Sequence, residues 1–389
     1  MATEKTNRYH FPWRGGNRFR LLVNGNDFFP PMLNAIRHAE HFIALEMYLV
    51  ISGKVLDQFI DALVDAATRG VKVFILLDDF GARSMHRHDR YRLDHANVRL
   101  CFYNPLQYGH LRRHLFRDHR KLLLVDNRIA YVGGAGIADD FAPDVKHKHY
   151  WHDLMVEIQG ACINDWWQLF IENWPDDTNG LEQFGEIPSP AVARDDAQLG
   201  RVTLVQRASR QEVKRSLVKR LKSAEHRIWI TTAYFVPSWK IRRALRRSAR
   251  RGVDVRLLLP GPHTDHPGVR HAGRRFYYSL LRHGVRIFEY QPRFNHCKAS
   301  LCDHWCSIGS SNFDRWNLTW NLEGNQEIDD QDFAAELKLF FERDLQQCVE
   351  IQREAWRRRP WHRRLLEWFW GRVDIWLQRQ TMRWRRRKD

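Results

Sequence analysis

Long apolar runs are missing from this chain. No window of its 389 residues approaches eighteen consecutive apolar positions, which argues against a transmembrane helix. A signal-peptide core is missing as well, because MATEKTNRYHFPWRGGNRFRLL opens on polar and charged residues, so export by that route is not expected. Membrane contact, where it occurs, is therefore expected to be peripheral. Cysteine is sparse. The six present form no CxxC pair, and although Cys297, Cys302 and Cys306 cluster, their spacing is looser than in metal sites. They are read as packing thiols in a reducing compartment. Negative charge is also scarce, with 46 acidic against 63 basic residues and a net charge of +17. That excess favours a polyanionic partner: nucleic acid, an anionic membrane or a phosphate-bearing substrate. What the chain has in abundance is tryptophan. Its 16 Trp tilt the choice towards lipid, because Trp concentrates at membrane–water interfaces.

A repeat organises the rest. AEHFIALEMYLV (39–50) and TRGVKVFILLDD (68–79) return as AEHRIWITTAYFV (224–236) and ARRGVDVRLLLPG (249–261). Each pair encloses a segment with apolar residues near helical spacing, VLDQFIDALVDAATRG in one half and WKIRRALRRSARRG in the other. Alternating strand and helix signals predict an α/β fold of two pseudo-twofold-related lobes, each a mixed β-sheet flanked by helices. The first lobe is placed at 1–175 and the second at 202–350. The Gly-, Pro- and acid-rich stretch 176–201 reads as their linker, and 351–389 as a basic, Trp-rich tail.

Each half closes on one motif. In RDHRKLLLVDNRIAYVGG (117–134) and FNHCKASLCDHWCSIGSS (294–311), His119, Lys121 and Asp126 match His296, Lys298 and Asp303. Residues i and i+2 of a strand share a face, so each His projects with its Lys. Each Asp lies seven residues after its His, an odd number, and parity turns it away, towards a structural role at the strand end. A solvated basic strand edge accounts for one such motif but poorly for two. Facing lobes would bring both to an active site at the seam.

Two His and two Lys in one seam suit phosphodiester chemistry. One neutral imidazole can attack phosphorus and hold the group covalently, while the second gives a proton to the leaving oxygen and later takes one back. Two ammonium groups stabilise the non-bridging oxygens, so no cofactor is called for. The run KHKHYWH (146–152) is dense in His, but density alone is a weak metal signal and no metal is assigned to it. An acid should fix the other ring nitrogen of each His. Candidates are expected downstream in the same lobe: Asp153 in YWHDLMVEI for His119, and Glu323 in WNLEGNQEI for His296. Small residues after each motif, Gly133-Gly134 and Gly309-Ser310-Ser311-Asn312, allow close approach of phosphate and add hydroxyl or amide donors.

Through HxKxxxxD written twice, GSSNFD and NLEGN, the chain resembles the phospholipase D superfamily, and within it the short bacterial cardiolipin synthases. The resemblance extends to about residue 345 and takes in WRGGNRFRLLVNGNDFFPPMLNAI and LEMYLV. It implies a catalytic set of His119, Lys121, Asp126, His296, Lys298 and Asp303. It further implies a phosphatidyl-enzyme on His119, with His296 as general acid and base. Phosphate contacts would come from Lys121, Lys298, Ser310 and Asn312, and Asp153 and Glu323 would orient the histidines. The implied reaction joins two phosphatidylglycerols into cardiolipin and releases glycerol. It would run at the cytoplasmic side of a bacterial inner membrane, on a protein bound peripherally to anionic phospholipid, with no nucleic-acid partner. One position departs from the pattern. Gly136 in Gly133-Gly134-Ala135-Gly136 stands where Asn312 stands in the second half, so one amide ligand is missing.

The tail places Trp361, Leu365, Trp368, Phe369, Val373 and Trp376 near helical spacing among many Arg, the pattern of an interfacial anchor. A terminal helix packed on the second lobe is the alternative. Two other functions stay open at this level: a hydrolase of the same superfamily that releases phosphatidic acid, and a nuclease served by the basic, aromatic composition.

Overall fold

The computed structural model describes residues 9–95, 97–105, 116–143, 150–175, 198–206, 210–313, 321–361, 364–373 and 375. The first lobe runs β1 (Arg14–Val23), α1 (Gly25–Arg37), β2 (Phe42–Met47), α2 (Lys54–Thr68), β3 (Lys72–Asp78), α3 (Arg87–Arg92), β4 (Val98–Tyr103), β5 (Lys121–Val125), β6 (Ile129–Gly133), β7 (Leu154–Gly160) and α4 (Cys162–Ile171). The second runs β8 (Gln198–Gln206), β9 (Arg210–Gln211), α5 (Glu212–Ser223), β10 (Arg227–Thr231), α6 (Trp239–Arg250), β11 (Asp254–Pro260), α7 (Pro267–Arg274), α8 (Tyr277–Leu281), β12 (Arg286–Tyr290), β13 (Ala299–Cys302), β14 (Trp305–Gly309) and β15 (Glu323–Asp329). α9 (Gln331–Leu345), β16 (Cys348–Glu350) and α10 (Arg353–Arg357) follow.

The repeat read from sequence is a repeat of topology. Across the first lobe the strands lie in the order β4-β3-β2-β5-β6-β7-β1, and across the second β12-β11-β10-β13-β14-β15-β8, element for element. In each, two parallel steps through crossover helices meet an antiparallel meander, giving the mixed α/β sheet that the strand and helix signals imply. The lobes join edge to edge where β1 pairs antiparallel with β8, through Arg14↔Gly200 and Asn17↔Gln198. Residues 198–201, placed in the linker by composition, are therefore strand. Their polar sequence is compatible with β pairing because this part of β8 is held by backbone bonds to β1 and β15. The rest of the expected linker, 176–197, lies outside the described residues.

Strand periodicity divides the cores. Along β5, Leu122 and Leu124 enter a central core, while Leu123 and Val125 enter the first lobe's outer core. The central core draws on both lobes, with Phe74, Trp166 and Leu122 meeting Trp229, Leu301 and Phe341. This shared core is mainly apolar, with buried cross-lobe bonds such as Trp166 Nε1–H to Gln326 Oε1 at 2.9 Å, and the motifs sit at the strand ends beside it.

Candidate active site

Both motif lysines do what parity predicts. The Lys121 ammonium donates to the His119 carbonyl at 2.5 Å, and Lys298 to the His296 carbonyl at 2.5 Å, so each sits under its own histidine. Lys298 also lies 2.9 and 3.2 Å from the two His296 ring nitrogens. Both lysines are almost completely buried.

The motif acids stand elsewhere. Asp126 follows the last residue of β5, at the opposite end from Lys121, and its carboxylate accepts from the backbone N–H groups of Glu40, His41 and Phe42 at 2.8, 2.8 and 2.9 Å. Asp303 does the same for Glu225, His226 and Arg227 at 2.9, 3.0 and 2.9 Å. The recurring Ala-Glu-His opening therefore supplies the backbone that each motif Asp ties to its turn. Asp126 and Asn127 take positive φ values of 51° each, and Asp303 takes 54°, a backbone state that Asp and Asn tolerate better than most residues. Neither Asp126 nor Asp303 reaches the histidines. Their membership of the catalytic set is corrected to a structural one, as parity suggests.

The orienting acids cross over. His296 Nδ1 donates to Asp153 Oδ2 at 2.6 Å, and Glu323 Oε1 stands 3.4 Å from His119 Nδ1. The same-lobe assignment is overturned, and the backbone explains why. His119 N–H donates to the Leu322 carbonyl at 2.9 Å, and His296 N–H donates to the His152 carbonyl at 2.8 Å. Each histidine is thus bridged to the residue just before the other lobe's acid. One site is built from both halves and is complete in neither.

The two halves of the site differ in their walls. Around His296 stand the rings of Trp151, Phe294 and Phe141, at centroid distances of 5.1, 5.5 and 5.7 Å. Asn321 holds the position in the second lobe that Trp151 holds in the first, two residues before the acid. Its amide nitrogen lies 3.2 and 3.3 Å from the His119 ring nitrogens. Tyr48 packs on His119 with centroids 4.0 Å apart, and the Lys121 ammonium lies 5.1 Å from the centre of the same ring. Asn321, Tyr48 and Trp151 were not singled out from sequence. Two of them carried a signal, since Asn321 and Trp151 stand two residues before Glu323 and Asp153, and extended backbone brings i and i+2 to one side.

Electrostatics favours neutral imidazoles in this site. Burial lowers the His119 pKa well below its ordinary value, with Lys121 and Lys298 adding to it. Burial and Lys298 lower that of His296, against the pull of Asp153. Burial pushes the Asp153 carboxyl up, but Lys298 and His296 outweigh it and hold the group below the usual carboxylate range. Glu323 goes the other way, raised by burial despite Lys121.

Ser310 and Asn312 are nearly fully buried beside this cluster. Ser310 Oγ accepts from the Gly324 N–H at 3.1 Å, next to Glu323, and Asn312 Oδ1 accepts weakly from the Thr232 hydroxyl at 3.4 Å. Gly136 has no room for an Asn312 counterpart: an added Cβ would lie 2.6 Å from the Leu49 carbonyl oxygen. Of the His-rich run, residues 146–149 lie outside the described residues. His152 is a buried core histidine that bonds Asp344 Oδ2 at 2.8 Å and stacks between Tyr290 and Phe340.

Comparison with known proteins agrees with the two-lobe fold. The family described as "Cardiolipin synthase, PLD-like domain" matches residues 32–165 and 217–345, once per lobe. Cardiolipin synthase B of Salmonella typhimurium is 33% identical over 345 residues, covering 84% of this chain and 80% of that one. Cardiolipin synthase B of Escherichia coli is 34% identical over 337 residues, with the same coverage. The crystal structure of phosphatidylserine synthase from Haemophilus influenzae shares the fold at a TM-score of 0.69 and 13% identity, covering 86% of this chain and 87% of that one. With one PLD-like domain in each lobe and relatives this similar over most of its length, the chain belongs to the cardiolipin synthase family of PLD-like phosphatidyltransferases.

Proposed function

We propose that this protein makes cardiolipin from two molecules of phosphatidylglycerol through a phosphohistidine on His119. The crossed pairing of histidines and acids carries the reading, because it gives one phosphorus atom two histidines in unlike states. His119, kept neutral by burial and set loosely against Glu323, offers Nε2 as nucleophile. His296, with Nδ1–H committed to Asp153, leaves Nε2 to carry the mobile proton.

In the first step a bond forms between His119 Nε2 and phosphorus while the P–O bond to the headgroup glycerol breaks. Protonated His296 gives its proton to the departing glycerol oxygen. In the second, the terminal hydroxyl of another phosphatidylglycerol attacks phosphorus, His296 takes back the proton and the His119–P bond breaks. Lys121 and Lys298 face the non-bridging oxygens, and Ser310 and Asn312 line the same floor as phosphate donors. The substrate phosphate's negative charge offsets the lysines and favours the protonated His296 that departure requires.

Membrane contact is peripheral on this reading. Among the described residues no helix is long and apolar enough to cross a bilayer. The tail helix (364–373) packs on the second lobe through Glu367, whose carboxylate lies 3.7 Å from Arg274 Nε, and through Trp370, against Gly268. Its outer side leaves Leu365, Trp368 and Phe369 exposed, with Trp361 just before it. Packed helix and interfacial contact are two faces of one element. Trp376 lies outside the described residues.

The test is mass spectrometry of lipids after the purified protein meets phosphatidylglycerol vesicles. Cardiolipin with equimolar glycerol, lost in His119→Ala and His296→Ala, supports the transferase. Phosphatidic acid as main product makes it a hydrolase, and unchanged lipids reject both.

A further inference from the structure

The two lobes contain their own control for surface charge. α2 and α6 occupy equivalent places, each leading from the strand beside the motif strand (β2 or β10) to the next parallel strand (β3 or β11). Aligning Gly70 with Gly252 sets Asp57, Asp61 and Asp65 opposite Trp239, Arg243 and Arg247. All six are exposed, so neither set is demanded by the core. On α2 the stripe is acidic and partly neutralised by Arg92, which reaches Asp57 and Asp61 at 2.6 Å each.

On α6 the stripe is cationic and lacks an acid. The helix WKIRRALRRSAR has five Arg, one Lys and no Asp or Glu. Among the described residues Arg243, Arg247 and Arg250 reach no carboxylate. Like charges four apart on a helix repel, so the fold gains nothing from Arg243 with Arg247 or Arg246 with Arg250. A shallow groove of about 250 Å³ runs between Trp239, Arg243, Arg246, Arg247, Arg250 and His283. Trp239 is half-exposed, with the Arg243 guanidinium 4.9 Å over its ring.

The stripe starts at the site end of its lobe. β10 ends at Thr231, whose hydroxyl oxygen accepts from Asn295, the residue before His296, at 2.9 Å, and α6 begins a few residues later. The same lobe carries the tail helix with its exposed aromatic residues, held by Gly268 of α7. Arg246 of α6 bonds Ser279 of the neighbouring α8 at 3.2 Å.

We propose that the outward face of α6 docks on an anionic phospholipid bilayer, its arginines on lipid phosphates and Trp239 in the interfacial layer. The second lobe then meets the membrane and the first does not. Trp239 among the arginines, with the exposed Leu365, Trp368 and Phe369 of the tail helix in the same lobe, favours a bilayer over a nucleic acid, because aliphatic Leu has no base to stack on but inserts into lipid. The proposal rests on the reading that the substrates are bilayer lipids.

Its test is co-sedimentation of the full chain with phosphatidylcholine vesicles containing 0–50% phosphatidylglycerol (roughly the range over which surface charge dominates binding). The variant is Arg243→Asp/Arg247→Asp, which copies the residues that α2 already carries at these places. Each surface arginine lost weakens binding about fivefold, so the double variant should bind at least about 25-fold more weakly. Arg243→Gln/Arg247→Gln should fall between it and the wild type, and wild-type binding should weaken with salt. Cardiolipin formation from phosphatidylglycerol in detergent micelles should be unchanged in both. Wild-type vesicle binding by the double variant overturns the proposal. So does selective loss of single-stranded nucleic-acid binding with vesicle binding retained. Failure of the wild type to make cardiolipin in micelles would reject the proposed reaction, while the vesicle assay still decides the docking surface.

Discussion

Asp153 of the first lobe accepts the Nδ1–H of His296 from the second at 2.6 Å, whereas the reciprocal pair, Glu323 and His119, stands 3.4 Å apart. A pseudo-twofold axis relates the residues but not their bonds. In the proposed mechanism the tight pair belongs to the histidine that gains and loses a proton, and the loose pair to the one that attacks.

Unequal losses should follow from unequal bonds. Asp153→Asn removes the charge and the tautomer control on His296, and cardiolipin formation should drop by about 10³-fold. Glu323→Gln should cost about tenfold, since burial already favours the uncharged carboxyl there. Single-turnover kinetics of both variants distinguishes them. Equal losses would contradict the division of labour.

The same carboxylate sets a pH limit. Burial and Lys298 lower the His296 pKa while Asp153 raises it, so removing Asp153 must lower it further. The proposed first step needs protonated His296, so activity should fall as pH rises through that pKa. In Asp153→Asn the alkaline fall should therefore begin at lower pH than in the wild type. A pH profile of kcat checks the sign.

The motif aspartates should report on stability before chemistry. Asp126→Ala leaves three backbone N–H groups without their acceptor and should cost about 2–4 kcal/mol by urea unfolding. Burial pushes Asp303 up, but three backbone N–H groups override it and lower its pKa. Its stabilisation is thus complete above the unfolded value and is lost as pH falls through the lower folded value. The acid unfolding of Asp303→Asn should be correspondingly less steep.

Gly136→Asn would complete the missing motif on paper. In the fold it should destabilise by about 1–3 kcal/mol without raising activity, because its Cβ meets Leu49. Thermal melts and the lipid assay together decide this.

Trp151 walls His296, the proposed proton carrier. Trp151→Ala should admit water there and raise the phosphatidic acid to cardiolipin ratio several-fold, read by mass spectrometry. An unchanged ratio with lower total rate would make the ring a packing element only.

Sequence alone determined the doubled motif, the lobe repeat and the pairing of each His with its Lys, because strand parity and repeated spacing are local properties. The structural role of Asp126 and Asp303 was likewise readable from an odd spacing, ahead of their place in a signature. Which acid serves which histidine was decided by tertiary structure. Asp153 and Glu323 lie downstream of their own motifs in the chain, but backbone bridges from His119 to Leu322 and from His296 to His152 carry each acid across the seam. Spacing along one lobe cannot report a bond whose two ends come from different lobes. The same limit hid the unlike walls of Trp151 and Asn321, and the Leu49 contact that keeps Gly136 a glycine.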